Sequence, residues 1–332
     1  METLGAYTHG ANLENNKICI IGNGVHSKAN IIPSIIELGA EITAIASTYF
    51  EEETKEVNGT VLYKDYKEMI EKEKPSKIII VTKAENQFEI TRYCIEKKIA
   101  KIFVEKPMGM NCKEAEELDI LADKNNCKLF VGFMKQYSPC YKLMKEITNR
   151  DNFGKIKHFS SEFYITSGRK GWNDEIFLKK GGIHFCNLLL WYFGEVEEVK
   201  SFTSTTDENV SLTAIIKFKS GIVGSINFIG LSAWKGKRET ITVTGENGYV
   251  YNNEVNEVYY HIDKPVEAQT RWKTLDEEEI KVKAYETSAS GGLKALYLKG
   301  YVDELDCFIN TEFESNSKQN IETMKLIDRI LG

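Results

Sequence analysis

The chain has 332 residues, of which 42% are hydrophobic and 28% are charged. These values predict a protein with a sizeable core and enough length for two domains. The formal net charge of -6 argues against nucleic acid or an acidic membrane surface as a partner, because binding to phosphate groups needs a concentrated basic surface. No apolar stretch is long enough to span a bilayer.

The cysteines and the first residues indicate where the protein works. Seven scattered cysteines without a Cys-x-x-Cys pair are typical of reduced thiols in the cytoplasm. We therefore expect a cytoplasmic protein without a structural metal site. Residues 1–16 contain neither an apolar signal-peptide core nor a twin-arginine start, so we expect a flexible polar extension there.

The first part of the chain alternates short β-branched runs with helical patterns. This alternation predicts right-handed βαβ crossovers and a doubly wound parallel sheet, a Rossmann domain over residues 17–135. A capping box of Asn111 and Glu114 begins its last helix. The predicted strands are 17–21, 41–46, 60–63, 77–82, 101–104 and 128–132, and the predicted helices are 30–38, 64–73, 86–98 and 112–125.

From about residue 155 the predicted strands follow one another directly, separated by turns such as Ser220-Gly221. This pattern predicts an α+β domain over 136–332 with a large, mostly antiparallel, open-faced sheet, giving an α/β protein overall. The domain would serve substrate binding and oligomerisation, and its last helices would pack back near the domain junction. The predicted strands are 156–165, 196–205, 211–218, 222–228, 239–244 and 255–262, and the predicted helices are 184–193, 293–310 and 317–331.

Two strands of this sheet carry apolar residues on both faces. They are 211–218 and 222–228. Because helices can cover only one face, the other needs a partner. We therefore expect a homodimer or homotetramer that forms through this sheet.

The loop Gly22-Asn23-Gly24-Val25-His26 lies where the first strand feeds a helix. Glycines permit a tight turn there and let backbone N–H groups approach a pyrophosphate, and the helix N-terminus adds partial positive charge. The third glycine of the usual fingerprint is replaced by Ser27. These five residues are the predicted dinucleotide loop.

The end of the second strand bears on the choice of cofactor. An Asp or Glu there would bind the ribose 2′-hydroxyl of NAD, but this chain has Ser47 and Thr48. Both are predicted cofactor-binding residues. The missing carboxylate favours NADP(H) slightly, while NAD(H) stays open because no Arg stands beside them.

The tripeptide Glu105-Lys106-Pro107 follows the predicted strand 101–104. Ligands of open α/β sheets bind at this carboxyl edge. The proline cannot extend the ladder and holds the preceding residue in an extended conformation. Lys106 is therefore the strongest catalytic candidate, and Glu105 and Lys106 are both predicted to contact the cofactor.

Together these residues resemble the glucose-fructose oxidoreductase, inositol dehydrogenase and rhizopine catabolism protein family, Gfo/Idh/MocA. The most specific part is Glu105-Lys106-Pro107 with the helix at 114–118. The resemblance implies that Lys106 is the active-site lysine and that Thr82 contacts the cofactor. It also shows departures: Lys83 replaces a proline and Gln87 replaces a frequent histidine.

The segment 181–187 resembles the family's catalytic stretch, which commonly reads Asp-x-Gly-x-His-x-x-Asp. His184 matches the histidine, Asn187 stands at the final Asp, and Lys180 at the earlier one. Residues i and i+3 share one helix face, so we expect His184 and Asn187 to point into one cleft. An amide cannot stabilise an imidazolium as a carboxylate does.

Further substrate-binding candidates come from two loops and a junction. Tyr137 follows the last Rossmann strand, where packing at the domain junction is an equal alternative. Arg169 and Trp172 lie in a polar, glycine-flanked loop that suits stacking on a sugar. A second basic and aromatic loop is equally typical of a solvated hairpin end. It contains Trp234, Lys235, Lys237 and Arg238.

The resemblance implies an NAD(P)-dependent dehydrogenase that interconverts a secondary alcohol and a ketone on a sugar, cyclitol or nucleotide-linked sugar. His184 would remove the hydroxyl proton and Lys106 would stabilise the developing negative charge. Two alternatives stay open: a cofactor-binding sensor or regulatory protein without turnover, and a reductase of an unsaturated or imine substrate.

Overall fold

The computed structural model describes residues 17–51, 54–57, 59–166, 171–233, 236–263, 278–284 and 291–332. The predicted extension at 1–16 lies outside the described residues. Two sheets organise the rest. Among the described residues, no helix combines the length and the apolar character needed to cross a membrane.

The first sheet has seven strands in the order β3-β4-β2-β1-β5-β6-β7. All neighbouring pairs are parallel except β3 with β4. The predicted doubly wound sheet is therefore confirmed. Its strands are β1 (Lys17–Ile21), β2 (Glu41–Ala46), β3 (Thr54–Val57), β4 (Thr60–Tyr63), β5 (Lys77–Ile80), β6 (Lys101–Glu105) and β7 (Lys128–Gly132).

Helices cover both faces of this sheet, so its central strands are apolar throughout. Successive side chains of a strand point to opposite faces. On β6, Val104 packs on one face, while Phe103 packs on the other, where it stacks on Phe130 at a centroid distance of 5.6 Å. The helices of this part are α1 (Ile32–Glu37), α2 (Tyr66–Glu73), α3 (Ala84–Glu96) and α4 (Cys112–Asn125).

The chain reverses its direction of winding between β1 and β5, which are neighbours in the sheet. Gly22 follows β1 with a φ of +113°, and a Cβ there would lie 2.1 Å from the carbonyl oxygen of Val81. Only glycine fits this contact. A crevice opens at the carboxyl ends of strands at such a switch point.

The second sheet has eight strands in the order β15-β14-β13-β12-β8-β11-β10-β9. Every pair is antiparallel except β8 with β11, as the predicted fold class requires. The strands are β8 (Ile156–Thr166), β9 (Val196–Thr203), β10 (Asn209–Phe218), β11 (Val223–Leu231), β12 (Lys237–Gly245), β13 (Gly248–Asn253), β14 (Glu257–Ile262) and β15 (Ile280–Lys283).

Helices cover one face of the second sheet. The other face is open, and Ile215 on it is 45% exposed. A π-helical segment, 178–182, joins two of the helices. The helices of this part are α5 (Pro139–Thr148), α6 (Asp174–Phe177), α7 (Ile183–Phe193), α8 (Gly291–Lys299), α9 (Tyr301–Asn310) and α10 (Ser317–Leu331).

Helix α9, the last helix but one, packs on the first sheet instead of the second. Leu305 and Phe308 are fully buried in the cluster that also contains Phe103 and Phe130. The last part of the chain therefore completes a layer of the dinucleotide-binding half.

Some elements differ from their predicted bounds. The predicted helix 293–310 is divided at Gly300, whose φ of +95° ends α8 and begins α9. A side chain at Gly300 would also lie 2.1 Å from the carbonyl oxygen of Met134. Helix α5 was not predicted, and neither were the short strands β3, β13 and β15. The three short strands have too few residues for a clear period. Helix α5 has ten residues, and its buried Tyr141, Met144 and Thr148 recur at helical spacing, so this helix was missed although its pattern is present.

Candidate active site

A cleft of about 1100 Å³ lies along the carboxyl ends of β1, β2, β5 and β6. Residues of α7, of β12 and of the turn after β7 close its far side. The volume exceeds that of most small-ligand pockets. The predicted residues that line it are Gly22, Asn23, Gly24, Val25, His26, Ser47, Thr48, Thr82, Glu105, Lys106 and His184.

The loop after β1 is open towards this cleft. A Cβ at Gly24 would meet no atom within 4 Å, and Val25 is 86% exposed. The chain becomes helical from Val25 onward. An open glycine before a helix start fits the pyrophosphate of a dinucleotide, because backbone N–H groups can approach the phosphates there.

His26 connects this loop to the end of β6. The side-chain amide of Asn30 donates to Nδ1 of His26 at 3.0 Å, so the ring proton lies on Nε2, which donates to Oε1 of Glu105 at 2.9 Å. Glu105 is buried. The dinucleotide loop and the strand that carries Lys106 are therefore held together by a side-chain hydrogen bond.

Lys106 bridges the two halves of the protein. Its Nζ donates to the carbonyl oxygen of Lys180 at 2.8 Å. The side chain of Lys180 in turn lies 3.5 Å from Oε1 of Glu85, at the start of α3. Burial lowers the pKa of Lys106, and the charge of Glu105 partly offsets this effect. An ammonium group with only a carbonyl partner can stabilise negative charge on a bound oxygen.

His184 lies in the first turn of α7, and within the described part of the chain no carboxylate pairs with its ring. Its Nδ1 is buried without a hydrogen-bond partner among the described residues. Burial lowers its pKa well below the usual value of 6.5, and the positive charges of Lys106, Lys135 and Lys237 lower it further. The imidazole is therefore neutral near pH 7, which is the form that accepts a proton.

One end of the cleft is formed by the residues after β2 and β4. Ser47 and Thr48 line it, as predicted for the cofactor, together with Lys64, which directly follows β4. The hydroxyl of Ser47 accepts a hydrogen bond from the backbone N–H of Tyr49 at 3.3 Å. Lys64 is an exposed cation that the sequence pattern did not single out.

The opposite end contains an ion cluster of Lys135, Glu239 and Lys237, all of which line the cleft. Nζ of Lys135 and Nζ of Lys237 lie 2.7 and 2.6 Å from Oε2 of Glu239. Burial alone would raise the pKa of Glu239, but the two ammonium groups hold it at about 2. Sequence reasoning noticed Lys237 only as part of a loop, and it did not select Lys135 or Glu239.

Three predicted substrate-binding residues, Tyr137, Asn187 and Trp172, do not line the cleft. The 3₁₀ turn Met134–Tyr137 explains the first of them. A 3₁₀ helix has three residues per turn, so consecutive side chains point in three directions. Lys135 points into the cleft, Gln136 contacts Asn187, and Tyr137 packs beside Phe130. The hydroxyl of Tyr137 lies 3.9 Å from Sγ of Cys307.

Asn187 follows His184 by one helical turn, yet the structure does not bring it to the same cleft. Three residues place it about 4.5 Å further along the helix axis. Its Oδ1 accepts from Gln136 at 2.5 Å and its Nδ2 donates to the hydroxyl of Thr323 at 3.2 Å. The expectation that both residues face one cleft is therefore not met.

The loop candidates are less informative. Trp172 is half-buried against Phe177, at a centroid distance of 6.1 Å, and does not line the cleft. Arg169 lies outside the described residues, as do Trp234 and Lys235 of the second loop.

Two family models match the chain. The Gfo/Idh/MocA model, described as an oxidoreductase family with an NAD-binding Rossmann fold, matches residues 16–133. The model of the GFO/IDH/MocA C-terminal domain matches residues 141–251. Together the matches span more than half of the chain.

An individual protein of known name is also similar to the chain. Myo-inositol 2-dehydrogenase from Thermotoga maritima is 25% identical over 211 residues, which cover 59% of this chain and 61% of that protein. The alignment therefore spans about three fifths of this relative.

Solved structures share the fold over nearly the whole length. A dehydrogenase from Chromobacterium violaceum matches with a TM-score of 0.78 at 16% identity and covers 94% of this chain and 93% of that one. The WlbA dehydrogenase from Bordetella pertussis, solved with NADH and UDP-GlcNAcA, matches with a TM-score of 0.71 at 19% identity and covers 95% and 94%. At these identities the likeness shows the fold.

Proposed function

The chain belongs to the Gfo/Idh/MocA oxidoreductase family, and from this membership we propose that it is an NAD(P)-dependent dehydrogenase. Its substrate would be a sugar, cyclitol or nucleotide-linked sugar, on which it interconverts a secondary alcohol and a ketone. The names of a similar protein, a myo-inositol dehydrogenase, and of a similar structure with a bound nucleotide sugar support this class.

One observation carries the proposal. The open loop at Gly24, the ammonium group of Lys106 and the imidazole of His184 line the same cleft. The loop comes from β1, the lysine from β6 and the histidine from α7. Three distant segments therefore bring a dinucleotide loop, an electrostatic group and a proton acceptor together.

The residues divide the chemistry between them. When bound, the nicotinamide accepts or returns a hydride. Neutral His184 would take the hydroxyl proton of the substrate on an imidazole nitrogen as the carbonyl forms. Lys106 would donate a hydrogen bond to the substrate oxygen and stabilise its negative charge. The hydrogen bond between His26 and Glu105 would hold the dinucleotide loop against the end of the strand that leads to Lys106.

The cofactor preference is a finer part of the proposal, with a lean to NADP(H). No carboxylate stands at Ser47 or Thr48, and the cation Lys64 lines the same end of the cleft. A 2′-phosphate would find two hydroxyls and one ammonium group there. Replacing Ser47 by Asp should shift the ratio of NADPH to NADH affinity towards NADH. An unchanged ratio would remove Ser47 from the cofactor site.

The cellular setting is proposed on two features. All seven cysteines are free, which supports the cytoplasm. The open face of the second sheet supports a homodimer or homotetramer.

The test is a turnover assay on the full-length protein. NAD⁺ and NADP⁺ are each offered with a panel of sugars, cyclitols and nucleotide sugars, and reduced cofactor is followed by absorbance at its nicotinamide band. We expect oxidation of at least one member, with loss in the Lys106→Ala variant. Tight dinucleotide binding without turnover on any member would contradict the proposal and support a sensor.

A further inference from the structure

The substrate end of the cleft carries more positive charge than the binding of a neutral sugar requires. Three ammonium groups line it: Lys106, Lys135 and Lys237. Glu239 pairs with Lys135 and Lys237, and Nζ of Lys106 donates to a carbonyl oxygen. Glu105 is the other carboxylate beside them, so three cations face two anions. Neutral hydroxyls can be bound by amide and carboxylate groups alone, so the excess of cations points to an anion.

Strand geometry places Lys237 at the cleft. Alternate residues of β12 point to the same face, and Glu239, two positions later, is fully buried in that face. Lys237 is 43% exposed, so its ammonium group is anchored to Glu239 and still reaches solvent. An ammonium group has three N–H donors, and the described residues supply one acceptor for Lys237.

The buried partner explains why this lysine is held in place. Lys135 is 5% exposed and lies 2.7 Å from Glu239, and the hydroxyl of Tyr141 donates to Oε1 of the same carboxylate at 3.2 Å. Lys135 already compensates the buried charge of Glu239. Lys237 therefore adds a second positive charge that burial of Glu239 does not require.

We propose that the substrate carries an anionic group, a carboxylate or a phosphate, which Lys237 binds at this end of the cleft. The inference rests on the proposed dehydrogenase function and narrows its substrate class to sugar acids or sugar phosphates. Glu239 and Lys135 act as positioning residues, because they fix the ammonium group of Lys237 and do not themselves need to touch the substrate.

An anion at this position would also help His184. The charged groups around His184 are Lys106 and Glu105 from the end of β6, Lys135 from the turn after β7, and Lys237 and Glu239 from β12. The titratable ring of His26 from the dinucleotide loop also faces it. Burial and the positive charges lower the pKa of His184. A bound anion would offset part of that charge, raise the pKa of His184 and make it a better proton acceptor.

The experiment measures binding by calorimetry to the full chain saturated with reduced dinucleotide. The probes are matched sets that differ in charge: glucose, glucuronate and glucose 6-phosphate, and galactose, galacturonate and galactose 6-phosphate. In at least one set we expect an anionic member to bind at least tenfold more tightly than the neutral sugar. The carboxylate and phosphate arms identify which anion is recognised.

Two variants test the residue. Lys237→Gln should reduce the anion preference roughly 10- to 100-fold, as expected for loss of a charge-assisted hydrogen bond, because the buried pair of Lys135 and Glu239 remains. Lys237→Arg should keep most of the anion preference, because the positive charge remains. The control is Lys157→Gln, which removes the same charge from β8 at a residue that pairs with Glu246 at 2.7 Å and does not line the cleft.

The outcomes separate this inference from the proposed function. No preference for an anion in either set, or a preference that survives in Lys237→Gln, overturns the inference. Turnover of neutral sugars alone would then leave the dehydrogenase proposal intact. Conversely, a Lys237-dependent anion preference without oxidation of any sugar supports the anion site and contradicts the dehydrogenase function.

Discussion

At the scale of single residues, His184 is distinguished by the lack of a carboxylate partner among the described residues. Lys180 and Asn187, on either side of it in the chain, supply no carboxylate to the imidazole. Its pKa is instead lowered by burial and by neighbouring ammonium groups. The residue is thus suited to accept a proton at neutral pH but holds it weakly.

This environment predicts the pH dependence of oxidation. Below its pKa His184 is protonated and cannot act as a base, so kcat/KM should fall on the acid side only below pH 6.5. His184→Ala should lose about 10²- to 10⁴-fold in kcat and lose this acid limb. The measurement is a pH–rate profile of both proteins at saturating dinucleotide. An acid limb centred above pH 6.5 would contradict the assignment of His184 as the base.

Lys106 should matter for rate and not for folding. Its Nζ donates to the carbonyl oxygen of Lys180, and the nearby buried carboxylate of Glu105 keeps its hydrogen bond from His26 when Lys106 is replaced. Lys106→Ala should therefore lower kcat by roughly 10²-fold or more, because the substrate oxygen loses its electrostatic donor. Thermal melting and dinucleotide titration are the controls. Full turnover of the variant would exclude Lys106 from catalysis.

Glu304 was not singled out from the sequence pattern. It is fully buried in α9, and neither carboxylate oxygen has a partner among the described residues. Burial raises its pKa well above 4.5, and the nearby charge of Glu105 raises it further. The folded protein therefore keeps Glu304 protonated, whereas the unfolded chain ionises it above about pH 4.5.

A stability measurement follows from this difference. A raised pKa in the folded state contributes stability at low pH that is lost as pH rises. Glu304→Gln removes the titration, so its free energy of unfolding relative to wild type should increase between pH 5 and pH 8. Urea unfolding at both values tests this, with Glu314→Gln, at an exposed position, as the control. An equal difference at both pH values would show that Glu304 is not protonated in the fold.

The two residues proposed to carry the chemistry were selected from sequence, but the residues around them were not. Lys106 and His184 lie in short motifs whose spacing is local. Glu239 lies 104 positions from Lys135, and no local pattern connects them. Such an ion pair depends on how β12 and the turn after β7 meet in the folded protein.

At the scale of elements, the loop after β1 shows two glycines with different tasks. Gly22 is required by the fold, because a side chain there would clash with the carbonyl of Val81. Gly24 has open space around it. We expect Gly24→Val to abolish dinucleotide binding and leave the melting temperature near wild type. Gly22→Ala should instead lower the melting temperature, because of its φ of +113° and the close contact.

Fluorescence titration with NADPH and NADH, together with thermal melting, distinguishes the two effects. Unchanged dinucleotide affinity in Gly24→Val would show that the loop does not bind the pyrophosphate. Comparing binding and melting temperature between the two variants is a sharper test than either variant alone. Both add small apolar groups within three residues of each other, yet different effects are expected.

Most of the longer elements were predicted from sequence, with α5 as an exception, whereas several short ones were not. The strands of the first sheet other than β3, and the helix α10, agree with their predicted positions within a few residues. The 3₁₀ turn Met134–Tyr137 could not be predicted, because four residues carry no usable period. That turn decides that Lys135, and not Tyr137, reaches the cleft.

At the scale of the whole molecule, the two halves are connected through the site. Lys106 bonds the segment before α7, and α9 covers the first sheet although it comes from the end of the chain. The cleft therefore exists only when both halves are folded together. Sequence predicted two domains with the last helices near their junction, but it did not predict that α9 would cover a face of the first sheet.

The open face of the second sheet leads to the prediction about assembly. Exposed apolar side chains on it include Ile215, Val223 and Phe202, and a stacked pair of Tyr251 and Tyr259 lies on strands further along the sheet. Tyrosines and exposed aliphatic groups are enriched at protein interfaces. We expect a homodimer or homotetramer that buries this face.

Light scattering at micromolar concentration measures the mass of the assembly. Ile215→Glu places a charge among the exposed apolar residues of this face and should convert the oligomer to monomers, because an unpaired charge cannot be buried in an apolar interface. The control is Ile36→Glu on α1, where the residue is 64% exposed and lies on the first half. It should leave the mass unchanged. A wild-type monomer, or an Ile215→Glu variant that remains oligomeric, would show that the open face is not the interface.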